Sequence, residues 1–214
     1  FYSHVPAVQP CPSDKNGFIT FGACQRAMKF NDAFLKVWAT ILERVPKSRL
    51  VLKDQSFSDP MACDAMLKRC GGQGIDRSRL TLEPGTPHPE YYDYYHSIDV
   101  SLDTAPYGGG ILTAESLWMG VPVVTLTGDR FNSRLAHTYL CAVGHEEWVT
   151  HTEEAYIQKA IDLALDIETR RDFRAASREQ MLSSSIMQNE AFARSWEEAM
   201  FALHQEQLDK SFKQ

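Results

Sequence analysis

From Gly17 onward, short apolar runs alternate with longer stretches whose apolar residues recur every three or four positions, the two patterns that separate buried strands from amphipathic helices. The first unit joins a strand, GFITFGA (17–23), to a helix over Asp32–Val45. Phe34, Val37, Trp38, Ile41, Leu42 and Val45 share one face of that helix and Pro46 ends it. The alternation then repeats. RLVLKD (49–54) predicts a buried strand and Asp59–Arg69 a helix stopped at Gly71-Gly72. RLTLEP (79–84), a helix over Glu90–His96, IDVSLD (98–103), a helix over Leu112–Met119 and PVVTL (122–126) follow. Strands alternating with helices imply an α/β fold with a mainly parallel sheet covered on both faces.

After Asn132 the pattern turns mostly helical, with segments near 133–141, 153–166, 169–182 and 188–207. Trp38, Trp118 and Trp196 fall on helical apolar faces and are assigned to the core, while the charges of this half are assigned to solvated helix faces. Residues 1–16, with Pro6, Pro10 and Pro12 among polar neighbours, lack a period and read as a linker or lead-in segment. A single domain is expected over 17–207, and the aperiodic tail 208–214 is expected to fray.

Composition narrows the class. At 43% apolar and 23% charged over 214 residues, the chain has core material for a globular domain and too little charge for disorder. A net charge of -6 argues against a broad grip on nucleic acid or an anionic membrane, and leaves a local basic pocket open. Cys11, Cys24, Cys63, Cys70 and Cys141 form an odd, scattered set without a C-x-x-C pair. They read as reduced thiols of a cytoplasmic compartment, or a nucleocytoplasmic one in a eukaryote. No window approaches the ~20 apolar residues of a membrane span. Opening on Phe1 rather than Met, the chain reads as part of a longer protein.

Ligands of open parallel sheets bind beyond the carboxyl ends of the strands, and that rule selects three loops. In DTAPYGGGILTAESLWMG (103–120) a strand ends at Asp103, glycines follow at Gly108, Gly109 and Gly110, and a helix opens at Ile111 or Leu112. First-turn amides without intrahelical partners, at the positive end of a helix dipole, suit a diphosphate, and glycines let it approach the backbone. Glu115, in the same helix, stands within reach of ribose hydroxyls. The plainer alternative is a tight glycine turn with Glu115 facing solvent. A second loop offers Gln25 with two cations, Arg26 and Lys29, suited to phosphate or simply to solvent. The third, PGTPHPEY (84–91), brings His88 and Tyr91 to the same edge, either to pack on a base or, for the tyrosine, to pack structurally. No G-x-G-x-x-G, G-x-S-x-G, H-E-x-x-H or Walker lysine loop is present. His137 and His145 read as core or surface histidines, and no metal ligand set is assigned.

The segments 17–53 and 98–136, with ESLWMGVPVVTL as the most specific stretch, and the helices Arg171–Met181 and Phe192–Met200 resemble the C-terminal half of the O-linked N-acetylglucosamine transferase family. SPINDLY-type protein O-glycosyltransferases share these motifs. The resemblance covers about residues 10–205. It implies the Rossmann-like, nucleotide-sugar-binding C-terminal domain of a GT-B glycosyltransferase. The implied activity is inverting transfer of a sugar, N-acetylglucosamine first among the choices, from a nucleotide diphosphate sugar to protein Ser or Thr. UDP-N-acetylglucosamine is the donor it suggests, although the residues leave uracil and guanine both open, and no metal is required.

By position, the resemblance implies that Lys29 contacts the donor diphosphate and stabilises the leaving group, and that Glu115 binds ribose. Arg26 stands where relatives have Gln or Asn, His88 in the loop that brackets the base, and Tyr91 where histidine is common. Gly109, Gly110, Ile111 and Leu112 occupy the phosphate loop, where relatives carry a threonine-rich run. Two hydroxyl donors are thereby lost, which motivates an alternative: a degenerate, non-catalytic nucleotide-binding or scaffold module. The general base is expected in an N-terminal half and acceptor selection in a tetratricopeptide region, both outside this chain. A nicotinamide-binding Rossmann domain is a more distant alternative.

Overall fold

The computed structural model describes residues 5–87 and 89–211. Six strands, β1 (Thr20–Cys24), β2 (Arg49–Lys53), β3 (Leu80–Glu83), β4 (Val100–Leu102), β5 (Val123–Leu126) and β6 (Val149–Thr150), form one sheet in the order β3-β2-β1-β4-β5-β6. Every pairing is parallel. Consecutive residues of the central strands are buried, Phe21, Gly22 and Ala23 in β1 and Val100, Ser101 and Leu102 in β4. Successive side chains point to opposite faces, so both faces of the sheet are covered.

The helices are α1 (Pro12–Asn16), α2 (Asp32–Arg44), α3 (Pro60–Gly72), α4 (Asp93–Ser97), α5 (Ile111–Trp118), α6 (Leu135–Ala142), α7 (Glu153–Leu165), α8 (Ile167–Ser183) and α9 (Asn189–Ser211). None is long and apolar enough to cross a membrane. Asn31 caps α2 by accepting from the Phe34 amide, as its sequence position suggests. The apolar face of α2 buries Trp38 completely, against the ring edges of Phe30 and Phe34. Trp38 Nε1 donates to the Tyr156 hydroxyl of α7 at 3.3 Å, and that hydroxyl donates to the carbonyl of Asp103 at 2.8 Å. The core therefore fixes the residue that leaves β4. Gly22 is required by close packing: a Cβ there would lie 2.5 Å from the Tyr94 hydroxyl and 2.7 Å from Ile98.

Two expectations need correction, on the charges of α8 and on Trp196, and the two ends of the chain gain detail. The lead-in, as far as it is described, is docked: Cys11 is buried, α1 forms, and the Ser13 amide donates to Asp99 at 3.1 Å. It is held by a row of arginines one helical turn apart on α8, which contradicts the assignment of that helix's charges to solvent. Arg170 donates to Ser13 Oγ at 3.3 Å, Arg174 to the carbonyl of Gln9 at 3.1 Å and Arg178 to that of Pro6. Arg170 and Arg174 are buried, their charge spread over carbonyl oxygens as buried cations require. Trp196, assigned to the core, is 57% exposed on α9 beside the exposed Phe192, because periodicity defines a face but not what the face meets. Of the tail, residues 208–211 continue α9, and residues 212–214 lie outside the described range.

Candidate functional site

The strand order reverses between β1 and β4, and ligands of such sheets bind at that switch point beyond the carboxyl ends. The loops leaving these two strands meet there. Asn31, while capping α2, donates through Nδ2 to the carbonyl of Ala105 at 2.7 Å, which ties the first loop to the second. Lys29 donates to Gln25 Oε1 and to the carbonyl of Gly108, both at 3.0 Å, and its ammonium lies 3.9 Å from the centroid of the Tyr107 ring. Gln25 in turn donates to Asp103 Oδ1 at 3.3 Å.

Asp103 is the hub. Its carboxylate is buried and accepts from the Gly109 amide at 2.6 Å and from Thr125 Oγ1 at 2.7 Å. Burial raises its pKa to about 6 even though both bonds and Lys29 oppose the rise. Burial also pulls the Lys29 ammonium below its ordinary value, with Asp103 opposing and Arg26 adding to the fall. Gly109 admits no side chain, since a Cβ would lie 2.6 Å from Gln25 Nε2 and 2.7 Å from Thr113 Oγ1. The turn is thus clamped by the sequence on both sides.

α5 begins at Ile111 behind Gly110 with no side-chain cap. The amides of Thr113 and Ala114 return to the carbonyl of Gly110, so the first-turn amides ahead of them are left for an anion. The Ile111 side chain is 68% exposed, whereas Leu112 lines an open cavity of about 1010 Å³ with Cys24, Gln25, Arg26, Lys53 and Tyr91. Glu115 does not face solvent: it is 9% exposed, and its Oε2 accepts from Tyr91 at 2.7 Å and Tyr95 at 3.2 Å. Burial drives the Tyr91 phenol well above its usual range and the Cys24 thiol beside it up to about 11. Both stay protonated at neutral pH.

The structure therefore brings together Lys29, Gly109, Gly110, Ile111, Leu112 and Glu115, with Arg26 and Tyr91 on the cavity wall. His88 lies outside the described residues. Sequence reasoning missed Lys53, Asp103 and Tyr95. Lys53 is buried at the carboxyl end of β2 and donates to the carbonyl of Pro84 at 2.9 Å and to Glu83 at 3.5 Å. A lysine closing an otherwise apolar strand run was the available signal. Among the described residues, the one group of three His, Cys or carboxylate donors close enough to share an ion is His137, Cys141 and Glu146, around α6.

A doubly wound parallel sheet with an uncapped glycine-led helix at its switch point defines a Rossmann-like domain. The chain belongs to glycosyl transferase family 41, whose model matches residues 12–196, in accord with the resemblance drawn from its motifs. It is 37% identical over 193 residues, 90% of this chain and 20% of the relative, to a probable UDP-N-acetylglucosamine–peptide N-acetylglucosaminyltransferase SPINDLY of Hordeum vulgare. The UDP-N-acetylglucosamine–peptide N-acetylglucosaminyltransferase of Caenorhabditis elegans is 30% identical over 164 residues, 77% of this chain and 14% of its own length. A solved mutant of the Thermobaculum terrenum O-GlcNAc transferase superposes with a TM-score of 0.84 at 33% identity, covering 92% of this chain and 37% of that one. The chain spans about a fifth of the plant relatives it matches.

Proposed function

We propose that this chain is the donor-binding half of an inverting glycosyltransferase that moves N-acetylglucosamine from UDP-N-acetylglucosamine to Ser or Thr of a protein. The observation that carries the reading is the uncapped start of α5 beside a lysine fixed by Gln25 and Gly108. The donor diphosphate lies on the first-turn amides and the Lys29 ammonium. The nucleoside extends into the cavity lined by Arg26, Lys53, Tyr91 and Leu112. Tyr91 and Tyr95 hold Glu115 by one carboxylate oxygen, which leaves the other for ribose hydroxyls.

In the reaction the acceptor hydroxyl attacks the anomeric carbon as the bond to the diphosphate oxygen breaks, and that oxygen takes the electron pair. Amides and an ammonium already in place stabilise this charge without reorganising, the form of electrostatic catalysis that contributes most in acyl and phosphoryl chemistry. Lys29 is thus the leaving-group stabiliser. The general base belongs to an N-terminal half and acceptor choice to a tetratricopeptide region. The setting is cytoplasmic or nucleocytoplasmic, in keeping with five cysteines free of disulfides.

Calorimetry and thermal shift with UDP, GDP and their sugar conjugates test the reading. UDP and its N-acetylglucosamine conjugate are expected to bind and stabilise, and GDP to do so less. Ile111 and Leu112 in place of hydroxyl-bearing residues favour a second reading, a scaffold module that has lost its donor. Absent or millimolar binding of every diphosphate by the whole protein would favour the scaffold over the enzyme.

A further inference from the structure

His137 and Cys141 stand one helical turn apart on α6, and Glu146 follows in the turn beyond it. One ligand atom from each lies within 4.8 Å of the other two. A tetrahedral zinc ion holds its donors at about 2.0–2.3 Å, hence roughly 3.5 Å from one another. The exposed Cys141 and Glu146 side chains have solvent into which to rotate as the remaining gap is closed.

The histidine is already oriented. Its Nδ1 lies 3.1 Å from Thr127 Oγ1, which also stands 3.5 Å from the carbonyl of Ser133. In the tautomer in which Thr127 accepts from Nδ1–H, the lone pair of the imidazole resides on Nε2 and is available to a metal ion. An outer hydrogen bond that fixes the tautomer in this way accompanies most metal-bound histidines. A depression of about 590 Å³, lined in part by His137 and Cys141, leaves room for water as a fourth ligand. None of these residues belongs to the donor site.

We propose that His137, Cys141 and Glu146 bind a borderline-soft divalent cation, with zinc the natural occupant. A thiolate and an imidazole beside one carboxylate select zinc or cobalt over magnesium and calcium, which take oxygen ligands. The ion would clamp the end of α6 to the turn that carries Glu146.

Cobalt(II) titration of the reduced chain is the test, with zinc added afterwards as competitor. The expected result is a near-ultraviolet thiolate-to-cobalt charge-transfer band together with the visible bands of a tetrahedral ion, both erased by zinc. Cys141→Ser should abolish the charge-transfer band, and His137→Ala and Glu146→Gln should each weaken zinc binding about tenfold or more in calorimetry. Cys141 and Glu146 are exposed, so their variants retain the fold, which circular dichroism verifies. A band that survives Cys141→Ser, no band in the unaltered chain, or a zinc affinity in the variants equal to that of the unaltered chain would overturn the assignment.

Discussion

Replacing Lys29 with alanine isolates one ammonium at the point where leaving-group charge would develop. An ammonium has three donors. Two are engaged within the protein, at 3.0 Å to Gln25 Oε1 and 3.0 Å to the Gly108 carbonyl, so a single charge-assisted hydrogen bond remains for the diphosphate. Such a bond is worth about 1.5–3 kcal/mol, which at about 1.4 kcal/mol per decade is a loss of roughly 10- to 150-fold in UDP affinity. The internal bonds lost in the same variant lower stability by about 1–2 kcal/mol, so affinity should be measured well below the unfolding midpoint. Isothermal calorimetry with UDP is the assay, with uridine as the control. Uridine binding should change little, because the proposed contact of the lysine is to phosphate rather than to base. Equal UDP affinity in both proteins would remove Lys29 from the site and with it the proposed stabilisation of the leaving group.

Gly109→Ala places a methyl group 2.6 Å from Gln25 Nε2 and 3.1 Å from Asp103 Oδ1, an overpacking that should cost about 1–3 kcal/mol in chemical denaturation; an unchanged midpoint would show that the turn is not clamped. Glu115→Gln should weaken UDP about tenfold while leaving inorganic pyrophosphate almost unaffected, and equal losses for both would place the carboxylate away from ribose. Asp103 titrates near 6 in the folded chain against 3.8 in model peptides, chiefly through burial. The native state therefore holds this proton more tightly than the unfolded one, and its stabilising share, present below about pH 4, is lost as pH rises through 6. Asp103→Asn removes the titration, so its melting temperature relative to the unaltered protein should rise between about pH 4.5 and 7.5, by the equivalent of about 2 kcal/mol. Parallel melting curves across that range would contradict the burial argument.

The parallel sheet, its loops and the family were legible because apolar runs, glycine stops and the carboxyl-end rule act over short stretches of chain. Lys29, Gly108–Gly110 and Glu115 converge because two loops flank one switch point, which the order of strands and helices implies. What stayed hidden depends on distant partners. Lys53 read as the end of a strand, and only its bond to the Pro84 carbonyl shows it turned into the cavity. Asp103 gains its role from Gly109, Gln25 and Thr125, three contacts no local pattern specifies. Glu115 was placed correctly along its helix, but the two tyrosine hydroxyls that bury it come from another segment. Arg170 and Arg174 read as solvated charges for a related reason: Arg170 donates to the nearby carbonyls of Leu163 and Ala164, but its bond to Ser13 and those of Arg174 to Gln9 and Ile98 reach more than 70 residues along the chain.

That arginine row also bears on where the domain can be cut. A truncation beginning at the first strand would remove the acceptors at Pro6, Gln9 and Ser13 and the Asp14 partner of the exposed Arg171, leaving the buried guanidinium groups of Arg170 and Arg174 with fewer acceptors. The proline-bearing stretch is thus a fitted part of the folding unit, and shortened versions of this protein keep their integrity only if it is retained.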